Sequence, residues 1–254
     1  TGTQTVQCAA MKQRSNGFLA IWAMRIIFYL LVSSVGIIVL DILWKGLPSI
    51  SLSFLLDSPR RSGAEGGIFP AIVGTVYLVT GAIAAALPLG IASAVYLSEY
   101  AKQGLFTRWV RFAIITLAGV PSVVFGLFGL GLFVIFLKFG ASVLAGSLTL
   151  ACMILPTIIV ASEEALQAVP RELREASLAL GATRWQTIWR SVLPYSVSGI
   201  MTGSILGIGR AAGETAPILL TAAAFFLPNL PQSPFDQVMA LPYHLYILAT
   251  QHPE

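Results

Sequence analysis

Two charges stand inside the most apolar part of the carboxyl-terminal half of the chain. Arg210 and Glu214 are the only ionic residues between Ser191 and Phe235. A guanidinium is a planar fork of donors that fits a carboxylate or a tetrahedral oxyanion, and a carboxylate four positions away can pair with it on a helix. At about 100° per residue, Gly203, Gly207, Arg210 and Glu214 all fall within roughly 80° of Gly199, and Pro217 returns to the same line. Glycines four apart let a second helix approach closely. A charge at bilayer depth costs about 2.5 to 3.5 kcal/mol and therefore faces protein or a water-filled path. The face is thus an interface or a pathway, and two uses of the pair stay open. Arg210 and Glu214 can lock the bundle as an internal ion pair. Alternatively, a partly separated pair leaves Arg210 to serve an anion while Glu214 holds it and balances its charge. Counting from Val197, both lie about 20 Å from the cytoplasmic start of their helix, near mid-bilayer.

A second constellation lies just before this helix, in the longest polar segment, Ser162 to Arg190. Pro170 suits a first helical turn, and Leu173, Ala176 and Leu180 follow at spacings of three and four as one apolar stripe. Gly181 suits the left-handed residue that closes a helix. Thr183-Arg184-Trp185-Gln186 fits a capping box that starts another, with Trp185, Ile188, Trp189 and Val192 on one face until Pro194. The segment 162–194 therefore reads as a hairpin of two short amphipathic helices, either a cover for the bundle ends or a docking surface. Other chemistry is thin. His244 and His252 read as loop residues beside prolines, and Glu163 and Glu164 as a solvated helix end rather than a catalytic pair. Cys8 and Cys152 have no means of pairing, and no lysine follows the glycines of a GxxxxGK[ST] phosphate loop.

The elements that must position these residues follow from composition. Of 254 residues, 56% are hydrophobic and only 10% charged, against about 25% charged in soluble domains. This excludes a soluble enzyme, a nucleic-acid binder and a disordered chain. Five apolar runs long enough to span a bilayer are expected: Phe18 to Trp44, Gly66 to Ser98, Phe112 to Leu137, Phe139 to Ser162, and about Val197 to Phe226. Residues 1–17 form a polar tail, and the membrane domain occupies 18–254. The stretch from Gln237 onward is too short and interrupted to cross. With the amino terminus inside, the cytoplasmic segments hold ten basic residues, Lys12, Arg14, Arg25, Lys102, Arg108, Arg111, Arg171, Arg174, Arg184 and Arg190. The outside holds four, Lys45, Arg60, Arg61 and Lys138. This asymmetry sets the orientation, with the hairpin in the cytoplasm. In the outer loop, Ser49 to Phe54 alternates in polarity, as a short strand or an interfacial segment does.

The hairpin residues Glu175-Ala176-Ser177, Gly181 and Leu193-Pro194 resemble, in type and spacing, the EAA loop of ATP-binding-cassette (ABC) importer permeases. Ser177 stands where the family has a second alanine, and Ser191 where it has isoleucine. Four more strings, 67–75, 96–100, 121–126 and 209–217, extend the likeness from about residue 66 to 250. They are similar to the PstA-type permeases of phosphate uptake. The resemblance implies an all-α membrane protein with the fold of a type I ABC importer transmembrane domain. The five transmembrane helices lack a sixth that the family has after the region of Tyr243 to Glu254. It also implies that Glu175, Ala176, Ser177, Gly181, Leu193 and Pro194 form the coupling helix that fits the ATPase, and that Arg210 and Glu214 lie along a phosphate route. The chain itself would bind no cofactor, ATP and Mg being held by the partner ATPase. Expected partners are a homologous second permease (PstC-like), a dimeric ATPase (PstB-like), an external phosphate-binding protein (PstS-like) and the lipid bilayer, with no nucleic acid. The location would be the cell membrane, multi-pass, and the inner membrane of a Gram-negative cell. Import of another oxyanion, a lone channel and an intramembrane enzyme are the competing readings. The last would need a nucleophile with a base or a metal cluster.

Overall fold

The computed structural model describes residues 2–60, 65–102, 104–224, 226–227 and 229–251, with the side chains of 2–20, 65 and 251 outside the description. Arg61 and His252 thus lie outside the described residues, as does the side chain of Cys8. The chain divides into two units, 1–55 and 56–254. The first is essentially one helix, α1, Gly2–Gly46. It runs back from the apolar span through the polar tail, and Ile21–Ser49 is apolar enough to cross a membrane. Its charges are managed locally. The Arg25 guanidinium lies 5.7 Å from the centre of the Trp22 ring, and Lys45 Nζ pairs with Asp41 at 2.9 Å, one turn away. A 3-10 turn, Leu47–Ser49, and a short helix, α2, Leu52–Leu56, follow. The alternating stretch is therefore not a strand: Ser51 Oγ accepts from the Phe54 amide at 3.1 Å, and this helix-starting hydrogen bond prevails over alternation.

In the second unit, a two-residue hairpin pairs β1, Pro59–Arg60, with β2, Glu65–Gly66. The core is then built on two long helices, α3, Phe69–Val95, and α6, Val143–Gln167. Both are apolar on most faces, so close approach rather than amphipathicity decides their pairing. Small residues of α3, such as Ala82 and Ala86, are fully buried and admit Leu150, Met153, Ile154 and Ile158 of α6. Ser147 Oγ donates to the Leu78 carbonyl at 3.2 Å across the contact. Beyond Val95, α3 continues as a π-helical turn, Tyr96–Tyr100.

Between them, the expected third span is not one helix. It divides into α4, Leu105–Ala118, and α5, Ser122–Gly129, which continues through a π-helical segment to Phe136, with a bend of 101° between the two pieces. Pro121 is the cause. Its ring would meet the carbonyl of Leu117 and it has no N–H to donate, while Val120 before it is pushed out of the α region. Pieces of about 21 Å each are too short to cross alone, but together they follow α6 from one end to the other. Among the described residues four helices are long and apolar enough to span a membrane, and a fifth is counted if the bent pair is one span.

The amino terminus of α6 is sealed by chain that returns from the end of the last long helix. The Ser142, Val143 and Leu144 amides donate to the carbonyls of Thr221, Asp236 and Pro234 at 3.0, 2.9 and 2.9 Å. Ala145 donates to the Ser142 hydroxyl at 3.2 Å. All four amides that a helix start leaves open are occupied, so this end offers nothing to an anion. A last helix runs from Leu241 to Gln251. It packs on α3, and its first amide donates to Thr75 Oγ1 at 2.9 Å. His244 belongs to this helix and is buried, so it is not the loop residue its neighbouring prolines suggested. Pro242 falls in the first turn, where a missing N–H costs nothing.

Candidate functional site

The hairpin forms as two arms about a left-handed turn. Helix α7, Arg171–Ala179, begins directly after Pro170, which is the N-cap rather than the first helical residue. Gly181 has φ +84°, a conformation that costs an L side chain about 1 to 2 kcal/mol. Thr183 then caps α8, Arg184–Thr187: its Oγ1 accepts from the Gln186 amide at 3.3 Å, and the Gln186 Oε1 accepts from the Thr183 amide at 2.9 Å. The expected stop at Pro194 does not occur. A π-helical turn, Ile188–Val192, leads straight into α9, Leu193–Gly213. Bonding from residue i to i−5 relaxes the register that the proline ring would otherwise break. The second arm and the last spanning helix are therefore one rod, 184–213.

The EAA-type residues cluster on this hairpin. Ser177, where the family has alanine, lies 3.0 Å from Thr187 Oγ1 through its hydroxyl and ties the two arms together. Glu175 and Ala176 are exposed, as is the whole expected stripe of Leu173, Ala176 and Leu180, the last at 90%. Trp185 and Trp189, stacked edge to face at 5.7 Å, are also more than half exposed. The hairpin thus turns its apolar side chains outward, and nothing among the described residues covers them.

On α9 the glycine face separates from the charges. Gly199 and Gly203 press on Ala165 and Ala161 of α6, where an added methyl would overlap the alanine Cβ atoms, and Gly207 faces Ile158 with ordinary room. This part of the face is an interface. Arg210 occupies the last turn, about 26 Å from Leu193. That is nearer the end away from the hairpin than the expected mid-point, because the helix starts earlier than its uncharged run. A cation there is favoured by the helix dipole. The helix stops at Gly213, and Glu214 is extended (φ −79°, ψ 132°). Pro217 explains this end, since its ring would strike the carbonyl of Gly213 four residues back. A short helix, α10, Ala216–Thr221, resumes beyond the break. The expected helix to Phe226 is therefore broken, and neither Glu214 nor Pro217 keeps its place on the wheel.

The pair nevertheless forms, loosely. Arg210 Nε lies 3.6 Å from Glu214 Oε1, with the side chains 33% and 19% exposed. This is an electrostatic contact longer than a hydrogen bond, with Nε the nearest nitrogen. Among the described residues the Arg210 guanidinium makes no hydrogen bond. Chemically, that leaves a fork of donors available to an oxyanion, with a carboxylate beside it.

Sequence reasoning missed a further group at the hairpin end. Glu163 is not a solvated helix end: its Oε1 pairs with Arg111 Nη2 at 2.7 Å. Arg174 Nη2 pairs with Glu99 Oε1 at 2.9 Å. Both pairs are mostly sheltered from water. They join residues 75 and 52 positions apart, and no local pattern announces such partners. They also bring Lys102, and Arg108 in the first turn of α4, to the same end as the hairpin, in keeping with the basic asymmetry.

Helical spans, exposed hairpin and buried glycine seam are those of a multi-pass membrane protein. Residues 86–236 match the family described as binding-protein-dependent transport system inner membrane component, and the chain belongs to that family. Among curated relatives it is 35% identical over 181 residues to the probable ABC transporter permease protein YqgI of Bacillus subtilis (71% of this chain, 62% of that one). It is 45% identical over 155 residues to the phosphate transport system permease protein PstA 1 of Mycobacterium tuberculosis (61% and 51%). The probable phosphate transport system permease protein PstA of Methanocaldococcus jannaschii is 35% identical over 215 residues (83% and 74%). The chain thus spans between half and two thirds of the first two relatives. These relatives are transporter permeases, not enzymes. A solved chain of the MetNI methionine ABC transporter aligns with 57% of this chain and 70% of its own, at TM-score 0.44 and 21% identity.

Proposed function

We propose that this chain is the permease subunit of an ATP-driven importer of inorganic phosphate. It forms half of the translocation path with a homologous second permease. It couples to a dimeric ATPase, which holds ATP and Mg, through Glu175, Ala176, Ser177, Gly181, Leu193 and Pro194, and it receives phosphate from an external binding protein. In a Gram-negative cell its place is the inner membrane. The phosphate assignment is supported by the PstA names of the relatives. The assignment of the site rests on one observation, the loose Arg210–Glu214 contact with the guanidinium fork left open. Arg210 accepts the anion bidentately, and Glu214 holds the side chain and keeps the empty path near neutrality, so that the anion is released again. The exposed apolar side chains of the hairpin support the ATPase contact.

The test uses the assembled transporter in vesicles with labelled phosphate. Arg210→Lys impairs uptake despite the retained charge, because an ammonium is not a fork. The double variant Arg210→Gln with Glu214→Gln leaves no lone buried charge, so a merely structural pair tolerates it. The expected result is an assembled but inactive complex. Near-normal phosphate uptake by that assembled double variant overturns the role given to Arg210.

A further inference from the structure

The coupling hairpin meets the membrane helices at one heavily bonded side chain. Arg174, in the second turn of α7, reaches backwards and donates from Nη1 to the Val169 carbonyl at 2.6 Å and from Nη2 to the Leu166 carbonyl at 2.7 Å. It thereby closes the carboxyl end of α6, where open carbonyls and the negative end of the dipole favour a cation. The same Nη2 holds Glu99 at 2.9 Å. Glu99 sits in the π-helical turn that ends α3, the kind of insertion that accompanies functional hinges. That turn is gripped a second time: Arg111 of α4 donates from Nη2 to the Leu97 carbonyl at 2.9 Å while pairing with Glu163 of α6. Beside the two pairs lies a polar cavity of about 570 Å³ that Ser98, Glu99, Arg111, Arg171, Arg174 and Glu175 help to line. It gives the clasp room to move. Glu175, the first residue of the EAA-type string, thus borders the same space as the arginine next to it in the chain.

We propose that Arg174 and Glu99 form a clasp that fastens the coupling hairpin to α3 and α6 and transmits its displacement to the spanning helices. They are positioning residues, and the inference rests on the reading above that the hairpin engages the ATPase. On the other side of the hairpin the transmission needs no such device, because the second arm is already continuous with α9. Only the first arm, separated from α6 by Ala168, Val169 and Pro170, needs a side-chain link. The pair's shelter from water keeps the attraction from being screened. Glu99→Gln removes the ionic attraction that fastens Arg174 to α3, leaving at most a neutral hydrogen bond there, and keeps both carbonyl contacts of Arg174, so it separates transmission from hairpin folding.

The experiment measures phosphate moved per ATP hydrolysed in proteoliposomes carrying the whole transporter and its binding protein. Glu99→Gln is expected to retain the ATPase subunits and hydrolyse ATP while the ratio falls about tenfold, the size of effect that a coupling residue exerts. Glu99→Asp keeps part of the ratio, which a lesion of folding alone does not explain. Arg174→Gln combined with Glu99→Gln is no worse than the more damaging single variant, since paired residues act as one. An unchanged ratio in Glu99→Gln, with the ATPase bound, overturns the clasp. Failure of the unaltered permease to retain any ATPase overturns instead the reading on which the clasp rests.

Discussion

Replacing the glycines of α9 one at a time by alanine tests the packing of this helix, because the structure assigns each a different consequence. At Gly203 an added Cβ overlaps the Cβ of Ala161, and at Gly199 it lies 2.6 Å from that of Ala165 and 3.4 Å from its Cα. These neighbours are methyls fixed to a helix backbone, so relief requires moving α9 away from α6, at about 1 to 3 kcal/mol of overpacking. Against this, alanine gains about 0.5 to 1 kcal/mol over glycine within a helix. The net change at Gly203 is therefore a loss centred on about 1 kcal/mol and reaching about 2.5 kcal/mol. At Gly207 the nearest atom is Ile158 Cγ1 at 3.5 Å, and at Gly209 nothing lies within 4 Å, so both substitutions keep most of the propensity gain. Equilibrium unfolding of the purified permease in mixed micelles reads these values. The expected order runs from Gly203→Ala, least stable, through Gly199→Ala to Gly207→Ala and Gly209→Ala, which match or exceed the parent. Adding Ala161→Gly to Gly203→Ala recovers stability by more than additivity allows. The same sign of change at 203 and 209, or strict additivity of the 161/203 pair, refutes the assigned seam.

Two other outcomes follow from the hairpin and the orientation. Gly181→Val places a β-branched residue at φ +84° and misaligns the two arms; the permease should still insert, while ATP hydrolysis no longer drives uptake, and normal ATP-driven transport would refute the coupling role. Cysteines at positions 102 and 184 should be labelled from the cytoplasmic face of an intact membrane and one at position 60 from the opposite face, so labelling of 184 from outside reverses both orientation and hairpin assignment.

Much of the fold was legible because a bilayer leaves the chain few choices. The uncharged runs located α3 and α6 to within several residues, since any spanning backbone must satisfy its own hydrogen bonds as helix, whereas α1 reaches back to Gly2 and α9 stops at Gly213, short of the expected Phe226. Gly181 and the Thr183–Gln186 box were legible for a different reason: both are local devices whose partners lie within four positions. What local reading could not supply was partnership at a distance. Glu163 looks solvated when only its neighbours in sequence are considered, and only the fold brings Arg111 to it. Arg174 and Glu99 are hidden in the same way, although the concentration of arginine in both cytoplasmic segments was visible as topology. Ser177 reads as a departure from a family string until Thr187 is found opposite it.

Prolines set the remaining limit, and through them the geometry of the charged site. Pro88 and Pro156 lie inside α3 and α6 without ending them, whereas Pro121 and Pro217 each end a helix, so the residue type alone does not foretell the outcome. Packing decides between them. The α3–α6 contact holds its helices together around a missing hydrogen bond, while Pro121 follows Gly119, whose backbone has most to gain by leaving the helix. Pro217 comes after Gly213, which has no neighbour within 4 Å where a side chain would be. With nothing to enforce continuation, the chain turns at Gly213 and Glu214 leaves the helix. Had α9 run on to Phe226, Arg210 and Glu214 would have stood one turn apart on a rigid surface, placed for the ordinary i, i+4 ion pair. The break instead sets the carboxylate on extended chain, where its nearest approach to the guanidinium is 3.6 Å, from Nε. The proline that defeats the helical wheel is thus what frees the guanidinium fork on which the proposed anion chemistry depends.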